Sequence, residues 1–168
     1  MSELLDIAFI SGLIGATMRM ATPIIFATLG EILAERSGVL NLGIEGIMLM
    51  GAMTGFLVTF SSGSIWTGVL AAALVGMLLG LLMAFLAVNL GLSQHVSGLG
   101  ITLFSTGLAM YIYRLYVGSP TVPPTIEPFK QIALPVLSKI PLVGPGLFTQ
   151  YSLTYFAWLL IPLMSIVL

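Results

Sequence analysis

Most of the side chains that could do chemistry in this chain lie in one short stretch, residues 31–46. It holds four of the eleven formal charges and three glycines of a sequence that is 58% hydrophobic and only 7% charged. A carboxylate within a membrane segment is costly, and by default it suggests a functional site. We therefore expect Glu45, together with the amide side chain of Asn41, to contact a polar solute.

Asn41 and Glu45 also admit a purely structural interpretation. Both lie near the start of a predicted helix, where unpaired backbone N–H groups and the positive end of the helix dipole favour hydrogen-bond acceptors. Their side chains could therefore serve only to cap that helix. Three further charged residues, Glu31, Glu35 and Arg36, are expected to form an ion cluster at the membrane interface.

A second polar segment contains Gln94, His95 and Ser97. Gln94 and Ser97 could form hydrogen bonds with hydroxyl groups or with the edge of a nucleobase, although Ser97 could instead cap a helix start. His95 is expected to be a capping or interfacial residue rather than a proton carrier. An intramembrane hydrolase would need a serine nucleophile and a base that meet in space. Residues two apart on a helix do not face each other, so no catalytic residue is predicted.

The composition indicates a membrane protein. A soluble domain of this length would carry roughly 25% charged residues, whereas this chain carries 7%. It has no cysteine and one histidine, so we expect no disulfide, no metal site and no cofactor. The formal net charge of −1 offers no basic surface for nucleic acid.

The polar stretch is expected to break a membrane helix. The apolar segments on either side, residues 21–34 and 47–60, would each form a helix of about 21 Å, which is short of the bilayer core of about 30 Å. Thr22-Pro23 is expected to start the first of them, because proline is tolerated in a first turn. The glycine-bearing link should then lie partly within the membrane, where protein or water must satisfy its backbone. Two short half-helices around such a break point to a transport site.

The remaining elements follow from apolar length and from proline. The predicted spans are residues 4–18, 21–36, 44–60, 65–88, 95–116 and 152–168, and a Pro-rich loop covers residues 118–150. Small residues four apart in the span 65–88 predict a face that packs closely against another helix. This stripe consists of Gly68, Ala72, Gly76, Gly80 and Ala84, and Gly43 and Gly46 are assigned a similar packing role beside the break. The last span ends at Leu168 without a polar flank, so the chain is expected to be truncated at its C-terminus.

Several motifs resemble those of ABC-importer permeases for nucleosides and simple sugars, the branch related to the ribose and branched-chain amino-acid permeases. The similarity centres on AERSGVLNLGIEG at residues 34–46. It continues through SQHVSGLGIT at residues 93–102, PLVGP at 141–145 and LTY at 153–155. It covers nearly the whole chain.

The resemblance implies an all-α, polytopic transmembrane helix bundle with a broken helix, the N-terminal half of a type II ABC importer permease. It implies a multi-pass protein of the cell inner membrane, with the Pro-rich loop 118–150 on the extracytoplasmic side. The expected partners are a cytoplasmic ABC ATPase, a second permease subunit, an extracytoplasmic substrate-binding lipoprotein and the lipid bilayer. ATP hydrolysis would belong to the ATPase, so this chain itself is not expected to be an enzyme.

Two other functions remain open at this stage. The transported solute could be a branched-chain amino acid or another small solute rather than a nucleoside or sugar. A passive solute channel would also use a broken helix and glycine-rich packing, and the residues alone do not exclude one.

Overall fold

The computed structural model of the protein describes residues 7–118, 120–135, 137–139 and 144–167. Residues 4–6 of the first predicted span, residues 119, 136 and 140–143 of the Pro-rich loop, and residue 168 of the last predicted span lie outside the described residues. The elements in chain order are α1 (Ile7–Arg36), α2 (Ile44–Ser62), α3 (Ile65–Ala84) with a π-helical turn (Phe85–Asn89), α4 (Gln94–Val117), β1 (Gln131–Ala133), a 3-10 turn (Leu137–Lys139), α5 (Gly144–Phe148), β2 (Thr149–Tyr151) and α6 (Ser152–Val167).

The described helices confirm the predicted fold class. Four of them are long and apolar enough to cross a membrane, namely Phe9–Arg36 within α1, Ile44–Ser62, Ile65–Asn89 and Gln94–Val117. A fifth, shorter apolar helix covers Ser152–Ile166. The protein is therefore a polytopic, mainly α-helical membrane protein in the part of the chain that the structure describes.

The chain divides into two compact units. One unit combines residues 1–30 with residues 129–168, and the other consists of residues 31–128. Helix α1 contributes to both, because its last turns belong to the second unit. The two units are described separately below.

Helix α1 corrects the prediction of two separate spans at residues 4–18 and 21–36. It runs without interruption from Ile7 to Arg36 and contains Pro23 in its interior. A proline removes one backbone hydrogen bond, but a complete break in lipid would leave several backbone groups without partners. Immediately before the proline, the Thr22 hydroxyl donates to the carbonyl oxygen of Met18, one turn earlier, at 2.8 Å. The helix therefore continues through the position where the sequence suggested a new start.

A non-helical segment, residues 37–43, separates α1 from α2 and is called the break below. With 30 and 19 residues, the two helices are about 45 Å and 28 Å long. The prediction of two half-helices too short to span a membrane was therefore wrong, because α1 continues through Pro23 and α2, which ends at Ser62, is also long enough to be a candidate span. What positions the break is its packing, not the length of its neighbours.

Helices α2, α3 and α4 form the core of the second unit. A cluster of buried apolar residues joins them: Met50, Met53, Leu79 and Ala109. The helices alternate in direction, because α2 and α3 are joined by two residues and α3 and α4 by a short turn. The first turns of α2 and α4 consequently lie at the same end of this unit.

The small-residue stripe of α3 faces α2 along part of its length. A Cβ on Gly55 of α2 would lie 3.3 Å from the carbonyl oxygen of Gly68 and 3.4 Å from the Cβ of Ala72. Farther along, Gly76 approaches Ile47 of α2, whereas nothing would lie within 4 Å of a Cβ on Gly80. The close contact of the stripe with α2 therefore ends before Gly80.

In the first unit, the Pro-rich segment contains secondary structure that the sequence did not predict. Strands β1 and β2 pair antiparallel, with Ile132 opposite Gln150. Gln150 is fully buried, and its Nε2 donates to the carbonyl oxygens of Gly15 in α1 and Gly146 in α5. The hydroxyls of Thr22 and Thr154 form a buried hydrogen bond of 3.0 Å that joins α1 to α6.

Candidate functional site

The break begins with a helix end that depends on glycine. Gly38 has a φ of +87°, a left-handed conformation that side chains with a Cβ rarely adopt. Its N–H donates to the carbonyl oxygen of Glu35 at 2.9 Å, and the N–H of Val39 donates to that of Ala34 at 3.0 Å. This pair of bonds is a Schellman motif. It explains why α1 ends at this point.

Gln94, the first residue of α4, holds the break through the oxygen and the nitrogen of its side-chain amide. Its Oε1 accepts the N–H of Leu40 at 2.8 Å, and its Nε2 donates to the carbonyl oxygen of Gly38 at 3.0 Å. An amide offers a donor and an acceptor side by side, so it can replace the two backbone partners that an extended segment lacks. Gln94 is thus a positioning residue for the break.

Glu31 and Asn41 fasten the next part of the break. The Glu31 Oε1 accepts the backbone N–H of Asn41 at 2.8 Å, and the Asn41 Oδ1 accepts the N–H of Gly43 at 3.0 Å. The second bond closes an Asx turn immediately before α2. The other carboxylate oxygen of Glu31, Oε2, is buried and has no hydrogen-bond partner among the described residues.

The last residues of the break lie directly against α4. The Thr102 hydroxyl donates to the carbonyl oxygen of Leu42 at 3.1 Å. A Cβ on Gly46 would lie 2.5 Å from the Cα of Thr102, and a Cβ on Gly98 would lie 2.9 Å from the backbone nitrogen of Leu42. Glycine at these two positions therefore lets the break and α2 approach the backbone of α4.

These contacts place the break beside the first third of a membrane-spanning helix. The contacts on α4 extend from Gln94 to Thr102, a rise of eight residues or about 12 Å along the helix. Non-helical backbone at membrane depth is tolerated where protein or a water-filled cavity satisfies its polar groups. Side chains and local turns supply partners for the N–H groups of residues 37–41 and 43.

The predicted site residues have different environments. Asn41 is partly buried and caps the turn before α2, whereas Glu45 is exposed in the first turn of α2 and makes no side-chain hydrogen bond within the described part of the chain. Gln94 binds the break. Ser97 is only 8% exposed and is the fourth residue of α4, which begins after Ser93. The alternative that Ser97 caps this helix was therefore wrong.

His95 and Ser97, the pair considered for a hydrolase, have different environments. His95 is exposed, whereas Ser97 is buried two residues later on the same helix. Among the described residues, no three His, Cys, Asp or Glu side chains come close enough to hold a metal ion.

Sequence reasoning missed two residues that hold the break, Glu31 and Thr102. Glu31 was assigned to an interfacial ion cluster with Glu35 and Arg36, but its carboxylate binds the Asn41 backbone instead, and the other two side chains are exposed. Thr102 lies at the end of the motif at residues 93–102, but nothing in the sequence distinguishes its hydroxyl from the others in the same span. Its contact with Leu42 joins residues 60 apart.

In this helical membrane protein, a hydrogen-bonded, non-helical segment lies against a membrane-spanning helix. This arrangement is typical of solute transporters. The comparison with known families is more specific. Residues 13–166 match the model of the family described as branched-chain amino acid transport system / permease component. The chain belongs to this family.

Three relatives carry names of the same kind. A putative glucose ABC transporter permease protein of Haloferax volcanii is 39% identical over 94% of this chain and 47% of its own length. A guanosine ABC transporter permease protein of Bacillus subtilis is 32% identical over 88% of this chain and 48% of its own length. A nucleoside ABC transporter permease protein of Lactococcus lactis is 31% identical over 86% and 47%. The chain spans about half the length of these relatives, and no solved structure matches it.

Proposed function

We propose that this chain forms half of a permease subunit in an ATP-binding-cassette importer that carries nucleosides or simple sugars across the cell inner membrane. The relatives named for glucose, guanosine and nucleosides support this solute class. These solutes are neutral and rich in hydroxyl groups. A pathway for them needs a few hydrogen-bonding groups in an otherwise apolar passage, with binding weak enough to permit release.

The observation that carries the proposal is the hydrogen-bonded break beside α4. Its backbone is fastened from two sides, by Glu31 at the end of α1 and by Gln94 and Thr102 on α4. A segment that served only to connect two helices would need no such partners, because water would satisfy it outside the bilayer. The break is therefore proposed to lie within the membrane and to line the solute pathway.

The four predicted pathway residues take different parts in this proposal. Glu45 is exposed and has no hydrogen bond to another described residue, so its carboxylate is available to a solute. Asn41 and Gln94 use their amide groups on the break and act by holding its shape. Ser97 is nearly buried, and it would reach a solute only after a movement of α4.

The energy source and the partners follow from the same family membership. The relatives are named ABC transporter permeases, so we propose a cytoplasmic ATPase, a second permease subunit and an extracytoplasmic binding lipoprotein as partners. The complete importer would couple ATP hydrolysis by its ATPase to alternating access in the permease.

The proposal is tested by uptake in cells that express the complete permease containing this chain. Labelled glucose and guanosine are offered with and without the binding protein, and with an ATPase whose phosphate-loop lysine is replaced. Uptake should fall to background when either partner is missing or inactive. Uptake that continues without ATP hydrolysis would contradict the proposal and indicate a passive channel.

The family description leaves branched-chain amino acids as a second solute class. Competition with unlabelled leucine in the same assay separates the two. Strong competition by leucine, with none by glucose or guanosine, would favour the amino acid.

A further inference from the structure

Glu31 is, among the described residues, the acidic side chain that joins α1 to the break. Only one of its carboxylate oxygens is used, since Oε1 accepts the Asn41 N–H at 2.8 Å while Oε2 has no partner among the described residues. An ionised carboxylate has two oxygens with about four acceptor positions. Most of its hydrogen-bonding capacity is therefore unused in this arrangement.

The unused oxygen is also shielded from solvent. Oε2 is buried, and a buried charged acceptor without a donor is strongly destabilising. The neighbouring charged side chains, Glu35 and Arg36, are exposed and do not pair with it. Oε2 is therefore an unfilled acceptor for any donor that reaches it.

A solute changes the balance between two access states only if it interacts differently with them. Glu31 has the required difference, because Oε2 is closed off in the observed state. Glu45 is exposed in that state, so a solute can reach its carboxylate without any movement of the break.

We propose that Glu31 couples the break to the solute, an inference that rests on the function proposed above. Its Oε1 holds the break in place through Asn41, and its Oε2 accepts a hydrogen bond from a hydroxyl group of the solute once the break moves and uncovers it. Glu31 is thus a binding residue for polyhydroxylated solutes such as a sugar or the ribose of a nucleoside.

The substitution Glu31→Gln separates the two oxygens. The amide oxygen of glutamine can still accept the Asn41 N–H, but the amide nitrogen replaces Oε2 and turns an acceptor into a donor. Glu35→Gln is the matched control, since it makes the same change of charge one helical turn away on an exposed side chain. Because the chain has no cysteine, Leu42→Cys can report on the break through its rate of thiol labelling.

In the complete importer with Leu42→Cys, Glu31→Gln should leave the labelling rate without solute unchanged. Two concentrations of glucose or guanosine should each rise about tenfold: the one that half-saturates uptake and the one that gives half of the maximal change in labelling rate. A rise of this size corresponds to the loss of roughly one hydrogen bond to a charged group. Glu35→Gln should change neither value. A deoxy analogue that lacks the recognised hydroxyl should raise the half-saturating concentration of the parent protein by a similar factor. In Glu31→Gln the same analogue should cause little further rise, because the two changes remove the same hydrogen bond.

Unchanged half-saturation in Glu31→Gln would overturn the inference, and so would an altered labelling rate without solute, which would show that Glu31 acts only on the break. If Glu31→Gln does not insert into the membrane, the deoxy analogues decide the matter in the parent protein. No analogue losing about tenfold would then reject the inference. Failure of the parent to take up either solute would instead count against the proposed function.

Discussion

Gly46 is a residue at which α2 lies close to the backbone of α4. A Cβ there would lie 2.5 Å from the Cα of Thr102 and 3.0 Å from its carbonyl oxygen. Both are backbone atoms, which cannot rotate away as the end of a side chain can. Contacts between small residues replace the hydrophobic effect as the source of helix association in lipid, so this position should be sensitive to one added methyl group.

We expect Gly46→Ala to lower the free energy of unfolding by about 1–3 kcal/mol, because α2 and α4 must separate to accept the methyl group. Gly80→Ala is the control, since nothing would lie within 4 Å of its Cβ. That substitution should be neutral or stabilising by up to about 1 kcal/mol through helix propensity. Unfolding of the purified chain in mixed micelles with increasing dodecyl sulfate measures both, and equal destabilisation by the two would contradict this account.

At the level of elements, the break is a non-helical segment that α4 holds by side chains. Gln94 at the start of α4 and Thr102 two turns later bind backbone groups of the break. The Schellman motif at Gly38 then fixes the direction in which the chain leaves α1. The break therefore depends on α4 for its shape, and loosening that contact should affect the break before it affects the helices.

Gln94→Ala should expose the break to exchange with water. It removes two hydrogen bonds, worth together about 2 kcal/mol, so amide exchange at Leu40 should accelerate about 30-fold. The control is His95→Ala, because His95 is an exposed neighbour in the same turn. Hydrogen exchange followed by mass spectrometry, with helix α2 as internal reference, measures the effect. Equal protection of Leu40 in both variants would show that Gln94 does not hold the break.

At the scale of the molecule, the alternating directions of α2, α3 and α4 fix which connections share a membrane face. The turn between α2 and α3 lies at the same end of this unit as the end of α4, and the turn before α4 lies at the opposite end. Together with the outside location expected for residues 118–150, this assigns a side to each connection. The orientation belongs to the proposal, and it can be measured directly.

Single cysteines in the cysteine-free chain provide that measurement. Ser61→Cys and Val122→Cys should react with a membrane-impermeant thiol reagent in intact cells, since both residues are exposed at the face proposed to be outside. Leu90→Cys, in the turn before α4, should react only after the membrane is opened. The parent chain without cysteine is the control. Labelling of Ser61→Cys and Leu90→Cys from the same side would contradict the alternating spans.

The sequence by itself determined the class of the protein, the presence of a helix break within residues 31–46 and the family. These depend on composition, on a polar, glycine-bearing stretch between apolar segments and on a contiguous motif, all of which act locally along the chain. Only the tertiary structure decided that α1 continues through Pro23, that residues 131–133 and 149–151 pair as strands, and that Glu31, Gln94 and Thr102 hold the break. Those features depend on which helix lies beside which backbone group. The partners of Gln94 and Thr102 are 54 to 60 residues away, and no local pattern encodes a neighbour at that distance.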